Sequence, residues 1–421
     1  MALDIQHSSS LSVNITIRST PSTLPTLPST PLFSFDSPSE TPLEPPPAAK
    51  MTAVDIAAAS SSGSEDILLI TAPRKPTQPW VERIQAKFPG LRVIYRDLQW
   101  GQTLPHESLK DDEWANITVL LTTSSLPASA AVVPRLRYVQ LFSAGANLII
   151  KQPLFTDTDI VFATANGVHG PQISEWIIAT FLAHNHRIPH YLELQKQAKW
   201  LRSDEDTEDS LGQRVGILGY GSIGRQTARV ATALGLEVYA YTLHSRDTPE
   251  SRRDNGFAPP GTGDPEGIYP SKWFSGGTKA DRHAFLSSGL DLLVVATPLT
   301  DDTTHLLGAE ELKLLGRDRD DGTRRAAFLS NIARGPIVDT DDLITALEDG
   351  TLRGAALDVT DPEPLPDGHR LWSAKNLIVT PHISGSSTKY TERVLAILED
   401  NLERLRDGRP LANQVSRRDG Y

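Results

Sequence analysis

The 421-residue sequence predicts an α/β protein built as two doubly wound domains, each a parallel sheet with helices on both faces. Three observations carry this reading. Short apolar strands alternate with helical stretches from about residue 65, and strands without polar alternation belong in parallel sheets buried on both sides. The alternation begins again at Val215, just before a turn with glycines at 219, 221 and 224. A helical segment from Thr388 to about Leu405 has room to cross back to the first unit.

Residues 1–63 are rich in Ser, Thr and Pro, as in "STPSTLPTLPSTP", with too few large apolar side chains to offset the entropy of ordering. We expect a disordered tail. Arg18 is its one basic residue before Lys50, a poor match to an import signal, so the expected location is cytoplasmic, with organellar import through the tail as the alternative. Met1 and Met51 are the two methionines, which leaves Met51 open as a second start. The first domain, expected over 64–168 and 386–413, has strands at "DILLI", "LRVIYRD", "ITVLLTT", "RYVQLFS" and "IVFATA". One helix is expected from Gln172 to about Gln197, followed by the acidic loop "SDEDTED". The second domain, expected over 169–385, continues through "LDLLVVATP", "AAFLSNIA", "RGAALDV" and "NLIVTPH".

Composition narrows the function. A formal charge of −11 argues against nucleic acid, and no stretch approaches the roughly 20 apolar residues that would span a membrane. The absence of cysteine excludes disulfides, thiolate nucleophiles and sulfur-ligated metals. His184, His186 and His190 do not form a metal site: helical positions two apart diverge and Pro189 interrupts the pair four apart. They read as surface or interface residues, and Trp176 and Trp200 as packing.

The stretch "VGILGYGSIGRQTARVATALGLEVYAYTLHSRD" is strand, glycine turn, helix and second strand. Gly219, Gly221 and Gly224 allow a backbone to approach a pyrophosphate at a helix N-terminus, and Tyr220, Ser222 and Ile223 complete the turn. The second strand of such a unit usually ends in an acid that binds the adenosine ribose. Here Thr242 stands in its place, with Ser245 and Arg246 just beyond. An acid would repel a 2′-phosphate, whereas hydroxyls and a guanidinium would bind one. The expected cofactor is therefore NADP(H) by preference, with NAD(H) possible.

Three later segments, "NIARGPIVD" (331–339), "LDVTDPEPLP" (357–366) and "TPHISG" (380–385), together with the glycine turn, resemble the D-isomer-specific 2-hydroxyacid dehydrogenase family, in the manner of its glyoxylate and hydroxypyruvate reductases. The match runs in order from about Asp66 to Ala412. The resemblance implies a Rossmann dinucleotide-binding domain, a flavodoxin-like substrate domain and NAD(P)H-dependent reduction of a small 2-oxo acid to a D-2-hydroxy acid, with the reverse reaction. It also implies a homodimer through the segment around Trp176.

By the same resemblance Arg334 grips the substrate carboxylate and polarises the carbonyl, as a forked, permanently charged side chain can. His382 is the proton donor, and Glu363 is the carboxylate that stabilises its charged ring. Ser143, Ala144 and Gly145 of "FSAGANLI" offer backbone amides to the substrate carboxylate; Asn147 stands where the family often has Asp. Thr297, Pro298, Ile332 and Ala333 line the cofactor, and Asp358 faces its carboxamide. Two insertions, 258–277 and 316–325, stand apart from this pattern, and the first is expected to fold over the adenosine end. A rival reading from another class is a cofactor-sensing, corepressor-like interaction protein on the same scaffold.

Overall fold

In the computed structural model, β1 (Asp66–Ala72), β2 (Leu91–Asp97), β3 (Ile117–Thr122), β4 (Tyr138–Leu141) and β5 (Val161–Ala163) pair in parallel in the order β2-β1-β3-β4-β5. This is the flavodoxin-like order. The residues described are 66–203, 207–318 and 324–417, so the expected tail and Met51 lie outside them. β3 and β4 are buried at every position, as helices on both faces require. One face packs under α1 (Gln78–Lys87), whose Trp80 and Ile84 meet Leu68 and Ile70. The other packs under α2 (Asp111–Ala115) and α3 (Pro153–Thr156), whose Trp114 and Phe155 meet Ile67 and Leu69.

The single helix expected over 172–197 is two, α4 (Gly170–Asn185) and α5 (Ile188–Lys196). Arg187 between them has φ 53°, and Pro189 falls in the first turn of α5, where its missing N–H costs nothing. α4 lays Ile173, Ile177 and Phe181 against Ile217, Val294 and Phe328 of the second sheet.

That sheet takes β6 (Arg214–Leu218), β7 (Glu237–Thr242), β8 (Lys272–Ser275) and β9 (Leu292–Val295), with α6 (Ser222–Ala233), α7 (Pro249–Arg252), α8 (Lys279–Leu286) and α9 (Ala309–Leu314) interspersed. A short antiparallel pair follows, β10 (Arg317–Asp318) with β11 (Arg324–Arg325). The sheet then adds β12 (Ala327–Asn331), β13 (Leu352–Leu357) and β14 (Leu377–Val379), with α10 (Thr340–Glu348) between β12 and β13. Its order, β14-β13-β12-β9-β6-β7-β8, places the topological switch between β6 and β9. β8 lies inside the first insertion, and the second is anchored where Arg317 and Arg325 pair with the buried Asp291 at 3.7 and 3.4 Å.

The chain returns to the first sheet as α11 (Tyr390–Arg406), which buries Val394, Leu395, Leu398 and Leu402 against Leu68 and Ile70. Asn401, fully buried, donates to Tyr138 Oη at 2.9 Å and to the Ala412 carbonyl at 3.2 Å, and accepts from the Ala412 N–H at 2.8 Å. These bonds fix the register of the helix, because a slip would strand a buried amide.

Two expectations about side chains fail. His184, expected at the surface or in an interface, is half-buried in the chain itself: its ring packs 4.8 Å from that of Phe328, and burial pushes its pKa down to about 4. Trp200 packs on nothing and is 96% exposed.

Candidate active site

β6 delivers the glycine turn to the switch point. Gly219 has φ +102°, and a Cβ there would lie 2.7 Å from the Ala296 carbonyl and 2.8 Å from the Thr297 amide, so the turn can lie this close to the end of β9 only with glycine. A Cβ on Gly224 would meet the Gly219 carbonyl at 2.5 Å, whereas Gly221 faces open space. α6 starts directly after Gly221 with no side-chain cap and no acid in its first turn. Its first N–H groups are therefore available to an anion, and the donor set fits a dinucleotide pyrophosphate.

Several of the predicted cofactor residues turn their side chains elsewhere. Tyr220 is buried and donates from Oη to Asp264 at 2.7 Å. Ser222 Oγ donates to Asn166 Oδ1 at 2.8 Å, and Ile223 packs into the core. Ile332 and Ala333 are buried in the cores on opposite faces of the sheet, while Thr297 is half-buried and Pro298 exposed at the end of β9. At the end of β7 the hydroxyl that seemed free on Thr242 donates to the His244 carbonyl at 2.7 Å. Ser245 donates to Asp247, and the half-buried Arg246 donates to the Ser251 carbonyl. The inserted segment meets the start of α6 through residues 263 and 264 and returns as β8 alongside β7, where Ser275 pairs with Thr242 and the Gly276 amide donates to the Thr242 carbonyl at 3.2 Å.

The side chains expected to act on substrate lie on the loops that follow β12, β13 and β14, and one of them reaches the loop after β4 of the first unit. Asn331, buried at the end of β12, donates to the Arg334 carbonyl at 3.0 Å and accepts from the Ala333 N–H at 3.1 Å, which shapes the turn that carries Arg334. Arg334 is exposed, and its Nη2 lies 3.8 Å from where a Cβ on Gly145 would sit. The guanidinium of the second unit and the Ser143–Gly145 loop of the first thus face each other. Ser143 Oγ donates to the Gly145 carbonyl at 2.6 Å, which closes that loop on itself; its hydroxyl is engaged while the loop follows β4 as expected.

His382 Nδ1 lies 2.7 Å from Glu363 Oε1, both side chains partly open to solvent at 49% and 39%. His382 has φ 54°, a left-handed conformation that costs a non-glycine residue about 1 kcal/mol or more. What holds it there is Asp358. That carboxylate, 1% exposed, accepts from Thr380 Oγ1 at 2.6 Å, from the amides of Ile383 at 2.8 Å and Ser384 at 2.9 Å, and from Ser384 Oγ. Four donors fill the four acceptor sites of a carboxylate, so Asp358 serves the 380–384 loop and has no site left for a carboxamide unless one donor yields. His169 also borders the site: its ring sits 4.9 Å from that of Tyr390, and burial, then the nearby Arg393 and His382, push its pKa down to about 4.

The sequence reading missed Asn331, Thr380, Ser384 and His169. A polar residue ending an apolar strand is a usable signal for Asn331 and Asp358, but their partners become visible only once the loops are folded.

Among the described residues there is no group of His, Cys, Asp and Glu side chains that could hold a metal, and no helix long and apolar enough to cross a membrane.

A seven-stranded dinucleotide-type sheet that carries an Arg, a Glu and a His on the loops after β12, β13 and β14 defines a nicotinamide-dependent oxidoreductase. Residues 178–259 and 273–384 match the family described as D-isomer specific 2-hydroxyacid dehydrogenase, NAD binding domain. A glyoxylate/hydroxypyruvate reductase B from Erwinia tasmaniensis is 30% identical over 290 residues, covering 68% of this chain and 80% of that protein. A D-isomer specific 2-hydroxyacid dehydrogenase from Xanthobacter autotrophicus, solved with NADPH and MES, superposes with a TM-score of 0.64 at 26% identity, over 85% of this chain and all of the other. An NADPH-dependent glyoxylate/hydroxypyruvate reductase from Sinorhizobium meliloti, solved with NADP and sulfate, gives 0.63 at 26% identity over the same shares. This chain belongs to the D-isomer-specific 2-hydroxyacid dehydrogenase family, and its cofactor is a nicotinamide dinucleotide.

Proposed function

We propose that the protein reduces a small 2-oxo acid to the D-2-hydroxy acid with NADPH, the dinucleotide held by the seven-stranded unit and the substrate by the five-stranded unit with α11. A bound nicotinamide supplies the hydride to the carbonyl carbon. Arg334 binds the substrate carboxylate and withdraws electrons from the adjacent carbonyl, opposite the amides of Ser143, Ala144 and Gly145. His382 gives a proton to the carbonyl oxygen, and Glu363 orients its ring and stabilises the charged form. The observation that carries this reading is the bond at 2.7 Å between His382 Nδ1 and Glu363, which leaves Nε2 as the atom for proton transfer.

The preference for NADPH rests on Thr242 in place of an acid and on Arg246, and is supported by the relatives solved with NADPH and NADP. The apolar surface exposed by Ile188, Leu192, Trp200 and Leu201 supports a homodimer through α5 and the residues after it.

The test is a reductase screen over glyoxylate, hydroxypyruvate and larger oxo acids with both cofactors, with His382→Ala alongside. Turnover should fall by roughly two to four powers of ten in the variant, the weight of a positioned general acid. An unchanged rate removes His382 from the mechanism. Tight dinucleotide binding with no turnover of any oxo acid would favour the cofactor-sensing interaction protein instead.

A further inference from the structure

The family match skips residues 260–272, and that skipped stretch holds a buried carboxylate, Asp264, that is 2% exposed. Asp264 Oδ2 accepts the Tyr220 hydroxyl at 2.7 Å and the Tyr269 amide at 3.3 Å, and Oδ1 accepts the Ile268 amide at 2.9 Å. Its backbone carbonyl accepts from Nη1 of Arg225, a side chain 4% exposed whose Nη2 donates to the Arg252 carbonyl at 2.7 Å and whose Nε pairs with Asp254 at 3.4 Å. The neighbouring Gly263 amide donates to Gln226 Oε1 at 2.6 Å. Tyr220 stands between the first two glycines of the turn, and Arg225 and Gln226 lie in the first half of α6. The inserted segment therefore grips the glycine turn and the start of α6 through three side chains. Burial pushes the Tyr220 hydroxyl's pKa up, so it stays a donor to Asp264.

Phe257, the residue just before the insertion, reaches the crossover between the two sheets. A Cβ on Gly167, at φ +95°, would lie 1.8 Å from the Phe257 carbonyl oxygen, so this backbone-to-backbone approach exists only with glycine. The Phe257 ring packs on the core of the first sheet beside Val168, and Ser222 at the start of α6 is bonded to Asn166. Turn, insertion and crossover form one connected unit.

We propose that Asp264 is a positioning residue for the dinucleotide: through Tyr220 and Arg225 it holds the 219–224 turn in the geometry that receives the pyrophosphate, and its segment ties that turn to the Asn166 and Gly167 crossover. The proposal rests on the reading of this turn as the dinucleotide site.

The experiment uses the full chain, with Asp264→Ala, Asp264→Asn and Tyr220→Phe, and measures NADPH affinity by titration of its fluorescence alongside steady-state kinetics. Asp264→Ala should weaken the Kd and KM for NADPH about tenfold: it strands three donors, the Tyr220 hydroxyl and the amides of Ile268 and Tyr269, of which the hydroxyl acts directly on the turn. The kcat at saturating NADPH and the KM for the oxo acid should stay within about threefold, a split that a loss of folded protein would not produce. Tyr220→Phe keeps the ring packed on Trp273 and should move NADPH affinity in the same direction. Asp264→Asn retains an acceptor for the hydroxyl and should recover most of the loss. Unchanged NADPH affinity in folded Asp264→Ala overturns the proposal, as does a fall in kcat alone; if that variant does not fold, unchanged affinity in Tyr220→Phe overturns it. A wild-type protein with no affinity for either dinucleotide would sink the functional reading itself.

Discussion

Replacing Asp358 by Asn keeps the size of the side chain and reverses the polarity of one arm. In the wild type, Oδ1 accepts from Thr380 Oγ1 and the Ile383 amide, and Oδ2 accepts from the Ser384 amide and Ser384 Oγ. An NH2 group at either position faces two donors. The serine or threonine hydroxyl can rotate away or accept, but the backbone amide cannot. One buried backbone N–H is left unpaired, the two bonds on the NH2 arm are lost and the two on the other arm become neutral; with about 1–3 kcal/mol for the stranded donor and the rest for the weakened bonds, the net loss is roughly 3 kcal/mol or more. At about 2–4 °C per kcal/mol for an unfolding unit of about 150–250 residues, the size class of the seven-stranded unit, the melting temperature of that unit should fall by roughly 6–12 °C. The 380–384 loop carries His382, so kcat should also fall, by about ten- to a hundredfold, as expected when a proton donor is displaced by less than an ångström. His382→Ala provides the contrast, losing turnover while melting close to the wild type, because that ring is half-exposed and makes its bond to a half-exposed partner. The assay is thermal unfolding followed by fluorescence, paired with steady-state reduction of the best oxo acid. An Asp358→Asn protein that melts within about 1 °C of the wild type and turns over normally would refute the claim that Asp358 holds the loop.

Arg334→Ala should raise the KM for the oxo acid by about two to three powers of ten, the size of a lost desolvated charge pair, and Arg334→Lys should restore only part because it lacks the planar fork; a KM unchanged in both would separate Arg334 from the carboxylate. Arg246→Ala should cost roughly 1.5–3 kcal/mol with NADPH and little with NADH, and Thr242→Asp should move the kcat/KM ratio toward NADH; a wild-type protein already tenfold better with NADH would contradict both. His169 and His184, with pKa values pushed down to about 4 from an ordinary 6.5, stay neutral in the fold while the unfolded chain takes up protons. Their contribution is complete above about pH 6.5 and is lost as pH falls toward 4, so urea midpoints should drop between pH 7 and pH 5, and His184→Gln should reduce the drop; equal pH dependence in variant and wild type would rule His184 out as a source.

The parts legible in the sequence are those fixed by local rules. Buried parallel strands have no polar alternation, so β1, β3, β9 and β12 could be read from composition alone. Pro189 offered the same kind of local signal, and the break between α4 and α5 shows that it outweighed the apolar periodicity running through it. β8 was hidden because "KWFS" sits at a sheet edge inside a Gly- and Pro-rich stretch and is half-buried at best, so it shows neither alternation nor a continuous apolar run.

Within the candidate site, the sequence singled out Arg334, Glu363 and His382 and missed the groups that bond to the loops around them. Arg334, Glu363 and His382 sit in compact motifs, each within a few residues of its own signature. Their supports act over long separations: Asp358 bonds a loop more than twenty residues on, and Asp264 reaches back 44 residues to Tyr220. The family resemblance made Asp358 a cofactor contact, but it ends a strand, and a strand end is also a place from which a carboxylate can turn inward and gather the amides of the next loop. Both readings obey the same local rule. What decides between them is the count of donors within reach, four for Asp358, and that count exists only after β13 and β14 have paired and brought the 380–384 loop over the end of the sheet.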